Sequence, residues 1–305
     1  MQQSLDAAQA ACRNPHKTHE PLLFGLLRGL LIEKLVPSGS MIDAGANDGD
    51  EACLLAVSGR DRLVHALEPL HQNVEHMVRR FGSIASNLKP MLSGLDATDY
   101  IMRASLRAVG MRAGDKSQIR LQKLHKVATQ WVSVDGKQML QFNASNNEFP
   151  VLCVDTLFTK LLVGERLGLA HLDLEGYELG AIVGAQRIIM QDRPFITVEV
   201  FPRSKARDTL KLLNHTETVL NYDSFAVHES CGWPKDCRNL LLVPRERLAS
   251  LATSATVGAL VAACKLYAVT SNNSRRDSCN SSIGVTFASH AQYLRNWRPT
   301  ATRLE

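Results

Sequence analysis

Paired leucines open the readable part of the chain. Leu22/Leu23, Leu26/Leu27 and Leu30/Leu31 recur at helical spacing, and Pro21 suits a first turn. A helix over 21–36 is therefore expected, stopped by Pro37-Ser38-Gly39 and packed on the core as a lid. The pattern then alternates: an apolar strand at 41–44, a helix at 51–58, a strand at 63–67 and a helix at 72–81. Residues 88–93 read as a third strand, although Pro90 is out of place in a strand interior. Between 96 and 150 the periodicity fades; 101–109 reads as helical, 137–142 as an edge strand and 143–147 as a loop. Regularity returns with an apolar run at 151–157 followed by a helix to 163, a strand at 169–172, a long helix at 177–191, a strand at 195–201 and a helix at 205–213. Runs at 225–227 and 239–243 fit a closing antiparallel pair, and after Pro244 the pattern dissolves into a Ser/Asn/Thr/Arg-rich tail.

Strands alternating with helices predict an α/β fold, a mostly parallel sheet with helices on both faces and an antiparallel closing strand. The expected organisation is a loose leader over 1–20, one domain over 21–246 with a variable insertion at 96–150, and a partly disordered C-terminal extension over 247–305. At 45% hydrophobic and 21% charged residues, the 305-residue chain is an ordinary globular composition. Its net charge of +5 is spread along the chain, which does not make a nucleic-acid footprint. No charged n-region precedes an apolar core at the N-terminus, and the leucine-rich stretch carries Arg28, Glu33 and Lys34. A cytoplasmic protein without a signal peptide or a transmembrane segment is expected.

The seven cysteines include no Cys-x-x-Cys pair. Cys53 and Cys153 lie among apolar residues and are expected to be buried thiols. Cys231 and Cys237 flank five residues; they read as a small disulfide loop or as two free thiols, the latter expected in a reducing compartment. No His/Asp/Glu cluster has metal-ligand spacing, so no metal site is expected.

Three strand ends carry candidate chemistry. The first apolar run ends in Asp43-Ala44-Gly45-Ala46-Asn47-Asp48-Gly49. A dinucleotide turn needs Gly-x-Gly-x-x-Gly, and the third glycine is missing here. Glu68, at the end of the second run, is placed to accept hydrogen bonds from ribose hydroxyls, with Pro69 offering an apolar surface to a base. The segment His171-Leu172-Asp173-Leu174-Glu175-Gly176-Tyr177-Glu178 is a strand running into acids and a glycine, and His171 shares the face of Asp173. Glu178 reads as an acid favoured in a helix first turn.

These residues, together with Val154-Asp155-Thr156-Leu157, Gly184-Ala185 and Val198-Glu199-Val200, resemble the FkbM-type methyltransferases in order and spacing. The resemblance implies a Rossmann-like class I methyltransferase fold that uses S-adenosyl-L-methionine. Carried over, it places Asp43, Gly45, Asn47 and Gly49 at the methionine part of the cofactor, Glu68 at the ribose, and Asp173 and Glu175 at the methyl end. It implies methyl transfer to a hydroxyl of a small molecule or glycan. Such a displacement needs the hydroxyl proton removed and the oxygen held in line, and Asp173 or His171 is expected to accept that proton or orient the hydroxyl, with Glu199 helping to position the acceptor. Two departures stand out: the family commonly has lysine where His171 stands, and 96–150 is long for it. An RNA or protein acceptor, and a non-catalytic binding domain, are the competing readings; an NAD-dependent enzyme is the poorer cofactor alternative.

Overall fold

A computed structural model describes residues 10–12, 20–107, 118–123, 130–134, 137–141, 148–202, 204–229, 237–263 and 265–269, with the side chains of 103–147 excepted. Its centre is an eight-stranded sheet. The parallel part holds β1 (Ser40–Ala44), β2 (Val64–Glu68), β3 (Leu88–Leu92), β10 (Leu167–Leu172) and β11 (Phe195–Val200). The sheet runs β3-β2-β1-β10-β11 and is completed by the antiparallel strands β13 (Arg238–Pro244), β12 (Tyr222–Val227) and β14 (Leu266–Val269). The α/β architecture and its antiparallel closing strand are those the pattern predicts. Pro90 is tolerated because β3 is an edge strand, with no neighbour on its outer side among the described residues.

Successive strand residues serve opposite faces. Met41, Leu169 and Phe195 pack under α1 (Pro21–Ile32), α2 (Asp50–Ser58) and α3 (His71–Phe81). Ile42, Ala170 and Ile196 pack under α4 (Glu178–Val183), α5 (Gln186–Asp192) and α6 (Ala206–Thr218). Both faces are covered, which is why these strands read as continuous apolar runs. Strand order reverses direction between β1 and β10, so the loops after those two strands part and leave a crevice at their carboxyl ends.

The structure departs from the sequence pattern in several places. Residues expected to be helical at 101–109 form strand β5 (Tyr100–Arg107), paired with β9 (Glu148–Leu152) and β6 (Gln118–Lys123) in a second sheet that also holds β4 (Gly94–Leu95). Strand β8 (Lys137–Gln141) is present as expected, in a hairpin with β7 (Gln130–Val134). The expected helix at 177–191 is two helices. Asp155 restarts the second by accepting hydrogen bonds from Arg187 N and Ile188 N, at 3.0 and 2.9 Å. Gly184 sits at the break, where a Cβ would stand 2.3 Å from Asp96 O. Beyond Pro244 the chain does not dissolve: α7 (Leu248–Ala252) and α8 (Ala255–Ala262) follow, α8 packs on α1, and β14 extends the sheet. The rest of the expected tail, the loop at 143–147 and most of the leader lie outside the described residues.

Cys53 is not a thiol. It is bonded to Cys12 with Cα atoms 5.5 Å apart, a pairing across 41 residues that no local pattern encodes. Cys237 is also disulfide-bonded, whereas Cys231 lies outside the described residues. Cys153 is a free thiol, as expected, but half-buried where a buried one was expected.

Candidate active site

The turn after β1 is built before any ligand arrives. Gly45 N and Ala46 N both donate to Leu67 O, at 3.0 and 3.1 Å, and Asp173 N donates to Ala44 O at 2.9 Å, so the turn is tied to both neighbouring strands. Gly45 has φ +86°, and a Cβ on it would lie 1.7 Å from Asp173 O. Gly49, at φ +84°, enters α2 against Met77 and Phe81. Asn47, between them, adopts φ +50° and is exposed. Its N–H donates to Glu68 Oε2 at 2.8 Å, and Leu70 N donates to Oε1 at 2.9 Å.

Glu68 thus clamps the turn to the end of β2 through backbone donors; Oε1 also accepts from Asn73 Nδ2 at 3.3 Å, whereas Oε2 retains a second lone pair. Burial pushes its carboxyl up to about 6, opposed by these hydrogen bonds. Pro69 follows it, half-buried at the crevice wall.

Asp43 is 1% exposed, and its Oδ2 has no hydrogen-bond partner among the described residues. Burial, then the charges of Glu51, Asp173 and Glu68, hold its carboxyl well above the usual range. His171, its register partner on β10, is equally buried. Its Nδ1 lies 2.9 Å from Thr197 Oγ1, its ring meets Phe24 edge-on, and burial lowers it to about 4. It is a neutral imidazole wedged between the sheet and α1.

Asp173, Glu175 and Glu199 converge. One oxygen of each lies within 4.8 Å of the others. Burial and the facing carboxylate push Glu199 strongly upward, and burial raises Asp173. Glu199 Oε1 also lies 2.6 Å from Cys237 Sγ. Glu175 takes φ +54° and is exposed; its carbonyl accepts from Lys205 Nζ at 2.7 Å. Glu178 Oε1 accepts from Leu174 N and Gly176 N, at 3.1 and 2.8 Å, so it braces the turn that presents Asp173 and Glu175.

Three residues beside the crevice carry no motif: Glu20, Glu229 and Asn239. Glu20 precedes α1, and its Oε2 accepts from Asn239 Nδ2 at 2.7 Å. Burial, then Asp173 and Glu229, push it to about 8. Glu229 receives Leu22 N and Leu23 N, both at 2.9 Å, and so fixes the start of α1 at the crevice rim. Asn239 stands opposite Glu199 across the β11–β13 ladder. Only the position of Glu20 just before the leucine stripe could have drawn attention to it, and that reads as a helix end.

A parallel sheet with its switch point at a glycine turn, followed by an acid at the end of the next strand, defines a Rossmann-like enzyme that binds a ribose-bearing cofactor. A model of the methyltransferase FkbM domain matches residues 43–223, more than half of the chain, and the chain belongs to that family. Membership makes it a methyltransferase of the S-adenosylmethionine-dependent class. Among solved structures, methyltransferase FkbM from Methylobacillus flagellatus KT is 17% identical with a TM-score of 0.42; the alignment covers 67% of this chain and 43% of that one. An O-methyltransferase from Bacillus cereus in complex with SAH is 11% identical with a TM-score of 0.44, covering 79% of this chain and 89% of that one. Likeness of this degree assigns no residue roles. No curated protein matches the sequence. Among the described residues no helix is long and apolar enough to cross a membrane.

Proposed function

We propose that the protein methylates a hydroxyl of a small molecule or glycan, with S-adenosylmethionine held by Asp43, Gly45, Asn47, Gly49, Glu68, Pro69, Asp173 and Glu175. The observation that carries this reading is the partnerless Oδ2 of Asp43, buried at the floor of the crevice between a pre-built glycine turn and Glu68. A buried carboxylate oxygen without a donor fits the ammonium of an amino-acid moiety. The bare Cα of Gly45 leaves backbone where a side chain would collide. Glu68 Oε2 keeps a lone pair for a ribose hydroxyl. When bound, S-adenosylmethionine supplies a sulfonium methyl that passes to the acceptor oxygen as the S–C electron pair returns to sulfur.

Asp173 takes the acceptor proton in this reading, and Glu199 orients the hydroxyl beside it. Holding the oxygen in line is the larger contribution, since proximity alone lowers a barrier by roughly 7–11 kcal/mol. His171, buried and neutral, supports the strand end from behind. A polyanionic acceptor such as RNA is disfavoured by Glu20, Glu51, Asp173, Glu175 and Glu199, whose acidic side chains cluster on this side and offer no compensating cation. The expected cytoplasmic setting has three disulfide-bonded cysteines, Cys12, Cys53 and Cys237, against it.

The test is release of S-adenosylhomocysteine from S-adenosylmethionine in the presence of a panel of hydroxylated small molecules and oligosaccharides. Turnover with at least one acceptor is expected, and Asp173→Asn should abolish it while S-adenosylhomocysteine still binds in calorimetry. Full activity in that variant removes Asp173 from the chemistry. No binding by the wild type would favour a non-catalytic domain.

A further inference from the structure

We propose that Asp173, Glu175 and Glu199 form a binding site for a hard divalent cation of the Mg2+ or Mn2+ class on the acceptor side of the crevice. The three oxygens come from a strand end, the turn behind it and the neighbouring strand, and they lie within 4.8 Å of one another. An all-carboxylate set selects oxygen-loving cations over zinc or copper.

Proximity of acids alone would be a weak argument. The second observation is the state of the buried oxygens around them. Glu199 is 8% exposed; its carboxyl meets that of Asp173, and apart from that contact its Oε2 has no hydrogen-bond donor. Asn239, its partner across the β11–β13 ladder, is 2% exposed, and its Oδ1 also lacks a donor. Buried acceptors are nearly always satisfied, so two on adjacent strands beside an acid cluster point to an absent positive partner. Among the described residues no lysine, arginine or histidine ion-pairs with any of the three acids. Lys205, in reach of the turn, gives its ammonium to the Glu175 carbonyl and rests 4.4 Å over the Phe201 ring.

The turn is also braced for the purpose. Glu178 holds Leu174 N and Gly176 N, which keeps Glu175 at its positive φ and its carboxylate near Asp173. A cation there would fix the acceptor hydroxyl against the strand ends and make it more acidic. That role deepens the methyl-transfer reading and rests on it; cation binding itself does not.

The experiment titrates Mn2+ alone into the full-length protein, read by electron paramagnetic resonance, with S-adenosylhomocysteine binding measured separately by calorimetry. One site is expected, weakened at least tenfold in Glu199→Gln and severalfold in Glu175→Gln. Glu175 is exposed, so its variant keeps the fold even if the buried substitution does not. No Mn2+ binding by the wild type overturns the proposal. Unchanged affinity in Glu175→Gln also overturns it, since the metal would then be an adventitious ion only. S-adenosylhomocysteine binding without Mn2+ binding would sink the cation site and leave the methyltransferase reading standing; the converse result would support the site and sink the reading.

Discussion

Replacing Gly45 by alanine tests the crevice at its tightest point. The added Cβ would stand 1.7 Å from Asp173 O, less than half an ordinary contact distance, at a residue whose φ is +86°. The left-handed backbone costs an L-residue about 1–2 kcal/mol. Inserting a carbon into packed surroundings adds roughly 1–3 kcal/mol. Together these give roughly 2–5 kcal/mol, a large share of the roughly 5–15 kcal/mol that holds a domain folded. Neither partner is a flexible side chain, so relief requires the turn to part from the end of β10. That would stretch the Asp173 N to Ala44 O bond, now 2.9 Å, and displace Asp173 itself. Urea unfolding followed by circular dichroism should show the destabilisation. Calorimetry should show S-adenosylhomocysteine affinity falling at least tenfold. Gly258→Ala is the control: it lies within helix α8, nothing stands within 4 Å of its added Cβ, and it should gain roughly 0.5–1 kcal/mol with binding unchanged. A Gly45→Ala protein with wild-type stability and wild-type affinity would refute the idea that close backbone approach builds this site.

Glu68 titrates at about 6 in the fold, so S-adenosylhomocysteine affinity should fall as pH drops through that value. Glu68→Gln should bind roughly tenfold more weakly at pH 8 and lose that dependence, which follows from losing one charge-assisted acceptor; a pH-independent wild type would remove Glu68 from the ribose. His171 sits at about 4 in the fold against 6.5 unfolded, a depressed value. Its contribution is therefore present above 6.5 and drains away toward pH 4, by roughly 3 kcal/mol. Urea melts of His171→Gln should show a flatter acid slope than wild type, and equal slopes would contradict the burial argument. Cys12→Ser opens a loop spanning 41 residues. Loop-closure entropy sets the expected loss at up to about 4 kcal/mol, readable as a lower urea midpoint in the variant than in the oxidised wild type.

Much of the site was legible because it lies at strand ends. A short apolar run that stops at an acid and a glycine announces both the strand and the residues placed at its mouth, and Asp43, Gly45, Glu68 and Asp173 are candidates on that ground. Asn47 and Gly49 follow from the same turn: both need positive φ, and Asn and Gly are the residues that take it most readily. The helix at 177–191 was misjudged at Gly184, because helical periodicity says nothing about whether a neighbouring loop will crowd one position and cap the next turn. Residues 101–109 failed for a related reason, since strand β5 is fixed by pairing with β9 and β6, not by a pattern of its own.

By itself the sequence determined the alternation of strands and helices, the two-faced burial that makes the sheet parallel, and the acids at its carboxyl edge. These are local properties, set by periodicity and by the backbone preferences of a few residues. Tertiary structure alone decided that Cys12 meets Cys53, that α1 delivers Glu20 to the rim, that β14 closes the sheet, and that Glu175 and Glu199 meet Asp173. Those are contacts between segments distant in the chain. They are fixed by which apolar faces bury against one another, and no spacing along the sequence records that choice.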